Sequence, residues 1–360
     1  MSGGAAEGFA GRAAAACALA AVALCLYART VGYEFLDWDD TAQVLENPWI
    51  RSLSLEHLAA IFSRPVVDSY FPLQSISFML DYAIWGFDPR GYHLQSVLLN
   101  AANGALAFWV LARLTRRPAL AFIAALLWSV HHTHVESVAW VSARKEVLST
   151  LLLLLSIGAY LRARASVRID RRLYAASVVL FGLGAAAKLT IGPYALFFPL
   201  VDWILDAPRA PEERSSPRDS LARALLYAAV ALPFAAVNLS FQPIADSARS
   251  SDGFDYLLVR GQAAWRYGWL LFGALPGQPL YDPPPIARTA GVAAATLLPL
   301  IAAPAAFAFA LRRRHTNAAL GLAWLMLGLS APLAFPLTTY MADRYLYAPS
   351  LGFCWLVAAG

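Results

Sequence analysis

Apolar segments long enough to cross a membrane recur along almost the whole chain of 360 residues. A helix needs about 20 apolar residues to cross the hydrocarbon core of a bilayer. Candidate spans lie near residues 12–31, 92–112, 118–131, 147–161, 173–187, 190–205, 222–239, 289–311, 318–335 and 345–360. Only 14% of the residues are charged, against about 25% in soluble domains. The pattern therefore predicts an all-α polytopic membrane protein with about 10–11 transmembrane helices.

Arginine clusters in the connecting segments predict the orientation of the chain. Connections that carry an excess of Lys and Arg face the cytoplasm. Four such connections are Arg113–Arg117, Arg162–Arg172, Arg209–Arg223 and Arg312–Arg314. The loop from Gly32 to Tyr70 is instead rich in Asp and Glu, so we expect it on the extracytoplasmic side.

Two further segments are apolar but broken by polar residues. Phe71–Phe87 contains Asp81 and several hydroxyl and amide side chains, which favours a helix lying at the membrane interface over one that crosses it. Leu257–Leu275 contains Arg260 and Arg266. Because buried cations are costly in lipid, we expect this second segment to be re-entrant or interfacial.

An acidic motif, Asp37-Trp38-Asp39-Asp40, follows closely after the first span. Carboxylates at a membrane boundary are costly unless they meet a cation, a proton or a hydroxyl donor. Asp39 and Asp40 are adjacent, so in an extended loop only one of them can point into a cleft. Such a carboxylate can take a proton from a hydroxyl group or hold a divalent cation. The alternative is a solvated acidic loop whose Asp side chains form local turns.

A second outer loop contains His131-His132-Thr133-His134-Val135-Glu136. Thr133 and Glu136 have the spacing of a capping box, which predicts a helix that begins here and continues through Leu148. His131 and His134 with a carboxylate are also candidates for binding a metal, for which Mg or Mn would serve, or a phosphate. A polar loop at the membrane edge without any ligand is the alternative.

Four cations lie on the outer side, where the distribution of positive charge disfavours them. They are Arg144, Lys145, Lys188 and Arg344. Something negative is expected to hold them there, and a phosphate bound near the start of the last helix would satisfy Arg344 by paired hydrogen bonds. We therefore predict a phosphate site from these four cations and Tyr345. The alternative for Arg344 is a weak surface pair with Asp343.

Four motifs occur in one order along the chain. They are Phe35-Leu36-Asp37-Trp38-Asp39-Asp40, Glu46-Asn47-Pro48, His131–Trp140 with Arg144-Lys145-Glu146, and Ala342-Asp343-Arg344-Tyr345-Leu346-Tyr347. In this order they resemble the bacterial relatives of the transmembrane-and-tetratricopeptide-repeat O-mannosyltransferases, within the GT-C superfamily of polyprenyl-phosphate-sugar-dependent glycosyltransferases. The resemblance runs from about Gly32 to the C-terminus.

The resemblance implies a single integral-membrane GT-C-type domain over residues 1–360. Residues 32–90 would form a large first extracytoplasmic loop with interfacial helices. The implied reaction moves a sugar, mannose or another hexose, from a polyprenyl-phosphate carrier to a hydroxyl of a protein or glycan at the extracytoplasmic face. A lipid bilayer is an expected partner and a nucleic acid is not.

Site residues follow from the resemblance position by position. Asp39 and Asp40 match the place of the catalytic carboxylate. Lys188 and Arg344 match basic positions that suit the carrier phosphate. The remaining matches are to a His-x-x-His-x-Glu pattern: His131, His134 and Glu136.

Two departures from the family pattern bear on the acceptor and on the loop. His132 stands where the family usually has proline, so the loop backbone is less restricted here. Tetratricopeptide repeats do not follow the apolar part, so we expect that region to be absent or truncated.

The richness in Ala and Arg predicts a bacterial inner membrane, with the site facing the periplasm. A lipid or glycan transporter and a non-catalytic scaffold for envelope assembly are the rival classes.

Overall fold

The structure is a computed structural model. It describes residues 3–66, 70–166, 168–241, 253–278, 280–282, 289–335, 339 and 341–360. Residues 67–69 of the predicted outer loop therefore lie outside the described residues. All regular elements within the described ranges are helices, which confirms the all-α class.

Fourteen α-helices lie in the described part of the chain. They are α1 (Gly3–Tyr27), α2 (Leu55–Ser63), α3 (Pro72–Trp85), α4 (Pro89–Thr115), α5 (Pro118–Ser129), α6 (Val135–Ala139), α7 (Arg144–Ala163), α8 (Arg171–Ala187), α9 (Phe197–Asp206), α10 (Pro217–Phe241), α11 (Gly253–Leu271), α12 (Ala290–Arg312), α13 (Thr316–Ala334) and α14 (Ser350–Ala359). Short 3₁₀ segments lie between them, at Ala28–Gly32, Pro48–Ile50, His132–His134, Val141–Ala143, Leu189–Leu196, Pro211–Glu213 and Asp343–Leu346. A π-helical turn covers Thr41–Leu45.

Seven helical segments of the described residues are long and apolar enough to cross a membrane. They are Ala10–Gly32, Pro89–Thr115, Val141–Ala163, Leu189–Asp206, Pro211–Phe241, Ala290–Arg312 and Thr316–Ala334. The other predicted spans are the shorter helices α5, α8 and α14, of 12, 17 and 10 residues. A helix rises about 1.5 Å per residue, so α5 and α14 are well short of a core about 30 Å thick. The polytopic membrane class is confirmed, with seven full-length candidate spans among the described residues.

Both segments that we expected at the interface form helices. Phe71–Phe87 contains α3, which begins with Pro72 in its first turn, a position where the missing N–H costs nothing. Leu257–Leu275 falls largely within α11, which buries Arg260. Their position at the membrane surface stays a prediction.

The largest core is apolar and aromatic and joins α4, α5, α7, α8, α13 and α14. Trp128, Tyr160, Phe181 and Trp324 are almost fully buried in it. Helices α13 and α14 meet at a pair of glycines: a Cβ atom on Gly352 would lie 2.5 Å from the carbonyl oxygen of Gly321. Small residues at such a contact let two helix backbones approach closely in a membrane protein.

Buried polar side chains fix the segment before α14 against this core. The indole N–H of Trp128 donates to the carbonyl oxygen of Tyr347 over 2.9 Å. The Tyr347 hydroxyl donates to Asn100 Oδ1 over 2.7 Å, and Asn103 Nδ2 donates to the carbonyl oxygen of Val147 over 2.9 Å. Three helices, α4, α5 and α7, and the segment before α14 are thus joined by buried hydrogen bonds, which are stronger inside the protein than in water.

A buried ion pair joins α3 to the first turn of α7. The guanidinium of Arg144 is fully buried and pairs with Asp81, which is also buried. Its other N–H groups donate to the carbonyl oxygen of Tyr92 over 2.6 Å and to Gln95 Oε1 over 3.2 Å. The polar break in the Phe71–Phe87 segment therefore has a structural reason, because Asp81 neutralises a cation inside the bundle.

Replacement of Asp81 by Asn should destabilise the protein strongly. Breaking one side of a buried pair leaves an uncompensated charge and typically costs about 3–5 kcal/mol. The matched control is Asp88→Asn, because Asp88 only caps α4 through the N–H of Arg90 and Asn caps a helix equally well. In detergent, the thermal unfolding temperature should fall strongly for Asp81→Asn and hardly at all for Asp88→Asn. Equal midpoints would contradict the structural role of the pair.

Candidate active site

The two adjacent aspartates of the acidic motif have different surroundings. Asp40 is fully buried. Its Oδ1 accepts from the N–H of Ser142 over 2.9 Å and from the Ser142 hydroxyl, and its Oδ2 accepts from the N–H of Leu36 over 3.0 Å. Asp40 thus ties the first outer loop to the segment before α7.

Asp39 is only partly buried. It makes no hydrogen bond or ion pair with any residue that the structure describes. The chain turns into a helix at this point, so Asp39 and Asp40 point in different directions, as expected for neighbours with one buried side chain. Of the two carboxylates, Asp39 is the one that can meet a ligand.

Trp38, the neighbour of Asp39 in the sequence, packs against Trp140. The rings of Trp38 and Trp140 have centroids 5.6 Å apart, and Trp38 remains about half exposed. The guanidinium of Arg344 lies over the Trp140 ring, 5.3 Å from its centroid. These contacts bring the acidic motif, the second outer loop and the segment before α14 to one place.

Arg344 is held by Glu136. The guanidinium pairs with Glu136 Oε1, and the backbone N–H of Arg344 donates to Glu136 Oε2 over 2.8 Å. Burial lowers the pKa of Arg344, but Tyr345 and Glu136 outweigh it and the pKa is raised above its ordinary value. The alternative pairing with Asp343 is wrong, because Asp343 instead accepts from the Tyr281 hydroxyl over 2.6 Å.

The predicted capping box is not formed. Helix α6 ends at Ala139, a 3₁₀ turn follows at Val141–Ala143, and α7 begins only at Arg144. Because the Glu136 carboxylate bonds to Arg344, it does not reach back to the start of the helix. The prediction of one continuous helix from Thr133 through Leu148 is therefore wrong.

Lys145 is a buried cation without a matching carboxylate. It is only 7% exposed, and its ammonium lies 4.7 Å from the ring centroid of Phe71. It makes no hydrogen bond or ion pair with the described residues. Its charge is attracted by Asp39 and Glu136 and repelled by Arg344, so these groups lie around it.

Lys188 lies on the other side of the same group. It follows the end of α8, is buried and pairs with Glu146. Its ammonium lies 4.7 Å from the ring centroid of Tyr345, and its charge is repelled by Lys145 and Arg344. We call Lys145, Lys188 and Arg344 the cation cluster.

Arg144 does not belong to the cation cluster. Its N–H groups are bonded to Asp81, Tyr92, Gln95, Ser77 and Ser96. The arginine that precedes Lys145 therefore faces the helix bundle, and the lysine faces the site.

The two histidines are engaged in hydrogen bonds that shape the second loop. His131 bonds to Thr133 Oγ1 through Nδ1 over 2.8 Å and to the carbonyl oxygen of Leu271 through Nε2 over 3.1 Å. His134 Nε2 bonds to Ser350 Oγ over 2.9 Å. Burial lowers the pKa of His131 to about 4 and the pKa of His134 well below 6.5, so both imidazoles are neutral at pH 7.

These bonds do not fit a metal centre built from His131, His134 and Glu136. Both rings already contact hydroxyl or carbonyl groups, and the carboxylate is paired with Arg344. No group of three or more His, Cys, Asp or Glu side chains among the described residues could hold a metal ion. We therefore derive no chemical step through a metal at this place.

Three important residues were missed in the sequence. Ser142 anchors Asp40 from 102 positions away, and Glu146 and Asp81 neutralise buried cations. For the lysines, the sequence does contain a signal, because lysine is rare in this chain. Of its 28 lysines and arginines, two are lysines. These are Lys145 and Lys188, and both belong to the cation cluster.

This chain has relatives among known proteins over about two fifths of its length. It is 32% identical to the protein O-mannosyl-transferase tmtc2 of Xenopus laevis over 150 residues, which are 39% of this chain and 18% of that protein. It is 34% identical to the protein O-mannosyl-transferase Tmtc2 of Drosophila melanogaster over 159 residues, 41% of this chain and 16% of that protein. It is 32% identical to the mouse protein O-mannosyl-transferase TMTC1 over 161 residues, 42% of this chain and 17% of that protein.

No protein-family model and no solved structure matches the chain. The chain covers less than a fifth of the length of the three relatives described above. The chain is thus similar, over about two fifths of its length, to parts of much longer proteins named as protein O-mannosyl-transferases.

Proposed function

We propose that this protein transfers a sugar, mannose or another hexose, from a polyprenyl-phosphate carrier to a hydroxyl of a protein or glycan at the outer face of the membrane. One observation carries the proposal. Asp39, a carboxylate without a partner among the described residues, lies near Lys145, a buried cation that lacks a carboxylate of its own. A base and an anion site are therefore adjacent.

In the proposed reaction Asp39 takes the proton of the acceptor hydroxyl. The acceptor oxygen attacks the anomeric carbon from the side opposite the phosphate, and a new C–O bond forms as the bond to the phosphate oxygen breaks. The electron pair of that bond leaves with the polyprenyl phosphate, and the configuration of the sugar is inverted. Asp40 serves as a positioning residue, because it fixes the backbone next to Asp39 through Ser142.

The cation cluster would stabilise the charge that develops on the departing phosphate. Lys145 is the first candidate, because its ammonium donates no hydrogen bond to the described residues. Arg344 and Lys188 are held in place by Glu136 and Glu146 and can direct their remaining N–H groups to phosphate oxygens. Fixed donors in a partly dry site stabilise such charge more strongly than water does.

The polar groups support an enzyme over a transporter. A transport path needs polar groups near the middle of the membrane. Here Asp39, Lys145, Lys188 and Arg344 gather at one end of α7, which is 20 residues long and spans roughly 30 Å. The similarity of the chain to proteins named as protein O-mannosyl-transferases supports an enzyme as well.

Replacement of Asp39 by Asn should reduce transfer by about 100-fold to 10,000-fold, because it removes the general base. Purified protein is incubated with a polyprenyl-phosphate carrier of labelled mannose, and release of labelled sugar is followed with and without acceptor extracts. Asp37→Asn is the matched control, since Asp37 is exposed in the same loop and bonds only to Thr41. Full activity of Asp39→Asn would remove the assignment.

Asp40→Asn separates positioning from chemistry. Loss of the bonds to Ser142 and Leu36 should lower the unfolding temperature, whereas Asp39→Asn should leave that temperature unchanged. If Asp40→Asn keeps wild-type stability but loses all activity, Asp40 is the base and the present assignment is reversed.

Replacement of Lys145 by Met should weaken donor binding and leave the fold intact. The variant breaks no ion pair of the described residues, so its unfolding temperature should equal or exceed that of the wild type. The affinity for the carrier should fall by about tenfold or more, because a charge-assisted hydrogen bond to phosphate is lost. Lys188→Met is the contrasting variant, since it leaves Glu146 buried without a partner and should lower stability.

Amine labelling measures the same contact without a substitution. Only Lys145 and Lys188 carry side-chain amines, so mass spectrometry assigns each modification directly. Polyprenyl phosphate should protect Lys145 from acylation, and polyprenol without phosphate should not. Equal protection by both lipids would contradict a phosphate contact.

A further inference from the structure

A large cavity opens at the end of the bundle opposite the candidate active site. Its volume is about 1020 Å³, at the upper end of the range for ligand pockets. It lies where α4 ends, where α9 leads into α10 and where α12 leads into α13. Because α7 runs from Arg144, next to Lys145, to Ala163 over 20 residues, this end is roughly 30 Å from the cation cluster.

Four arginines from three different connections line the cavity. They are Arg116, Arg117, Arg214 and Arg314. None of them forms an ion pair with a carboxylate in the part of the chain that the structure describes. Arg214 donates only to a backbone oxygen, that of Arg209.

The two carboxylates in the cavity wall are already neutralised. Asp202 pairs with Arg164 over 3.0 Å and with Arg223 over 2.7 Å. Asp206 pairs with Arg164 and with Arg209, both over 2.8 Å. These arginines do not line the cavity, so the four that do are left as an uncompensated positive group.

Arginine also occupies two backbone positions that favour glycine. Arg116 and Arg314 have φ angles of 56° and 55°, and they are the non-glycine residues with positive φ in the described residues. Each follows the end of a helix, where the left-handed conformation is usually taken by Gly or Asn. Arginine at these two positions is disfavoured by the backbone, and both side chains line the cavity, where a bound anion would use their charge.

Apolar side chains complete the cavity wall. Trp203 and Leu221 line it and are 41% and 56% exposed. Tryptophan with one apolar and one polar side is typical of the level of lipid headgroups. A ligand with a phosphate and an attached apolar chain therefore fits this wall better than a small anion does.

We propose that this cavity binds the phosphate of an anionic phospholipid headgroup on the side opposite the candidate active site. The planar guanidinium groups bind phosphate oxygens by paired hydrogen bonds. The acyl chains leave the cavity along Trp203 and Leu221. A site of this kind is independent of the proposed sugar transfer and would exist in an inactive variant.

The test compares two pairs of charge removals. Arg116→Gly with Arg314→Gly removes two cavity charges and places glycine where the backbone favours it, so the fold should be kept. Arg312→Gln with Arg313→Gln removes two exposed charges of the same face that do not line the cavity. Native mass spectrometry of the purified full chain then counts bound phosphatidylglycerol, with phosphatidylcholine as the neutral-headgroup probe.

Wild type and the Arg312/Arg313 variant should retain phosphatidylglycerol with equal affinity, and the Arg116/Arg314 variant should bind it about tenfold or more weakly. Equal loss in both variants would show general surface attraction and overturn the proposal, as would equal binding of both lipids. If the glycine variant unfolds early, Arg117→Gln with Arg214→Gln replaces it, and unchanged binding there overturns the proposal.

Inorganic phosphate distinguishes the two sources of the ligand. It should displace the lipid only at a concentration at least about a hundredfold higher, because it lacks the apolar chain. Displacement at an equal concentration would assign the cavity to free phosphate and overturn the lipid assignment.

Discussion

The ion pair between Glu136 and Arg344 determines the shape of the candidate active site, because it joins segments 208 positions apart. Glu136 accepts from both the side chain and the backbone of Arg344, so the position and the orientation of the arginine are fixed together. Tyr345 is then placed against Lys188, and Arg344 covers Trp140. The bond between His134 and Ser350 holds the same loop against the start of α14, so the two contacts together set the register of the second outer loop.

Local patterns in the sequence predicted the helices better than the contacts between them. The apolar runs predicted the class and most helix positions. In the structure Asp88 caps the start of α4, and Pro72 and Pro118 stand in the first turns of α3 and α5. The capping-box prediction failed because Glu136 has a stronger partner, Arg344, which is distant in sequence. Hydropathy cannot reveal such a competition, since both residues are polar wherever they bond.

The same limit explains how the charged residues divide. Arg144 and Lys145 are neighbours with equal charge, yet one is bonded to Asp81 inside the bundle and the other faces the site. A helix turns by about 100° per residue, so adjacent side chains reach different surroundings. The packing of α3 and α4 decides which of the two cations lies inside the bundle and which one faces the site. Asp39 and Asp40 differ for a related reason, because Ser142 bonds to only one of them.

The position of the candidate active site depends on the contact between Gly321 and Gly352, because this contact lies in the first turn of α14. Because the two backbones are in direct contact, the position of α14 along α13 is fixed. The residues just before α14 are fixed in position by the same contact. Ser350 bonds to His134, and Arg344 lies six residues before Ser350 in the chain. A methyl group added at either glycine would push the two helices apart, and a change at this buried helix contact would then displace the arginine that faces the outer loops.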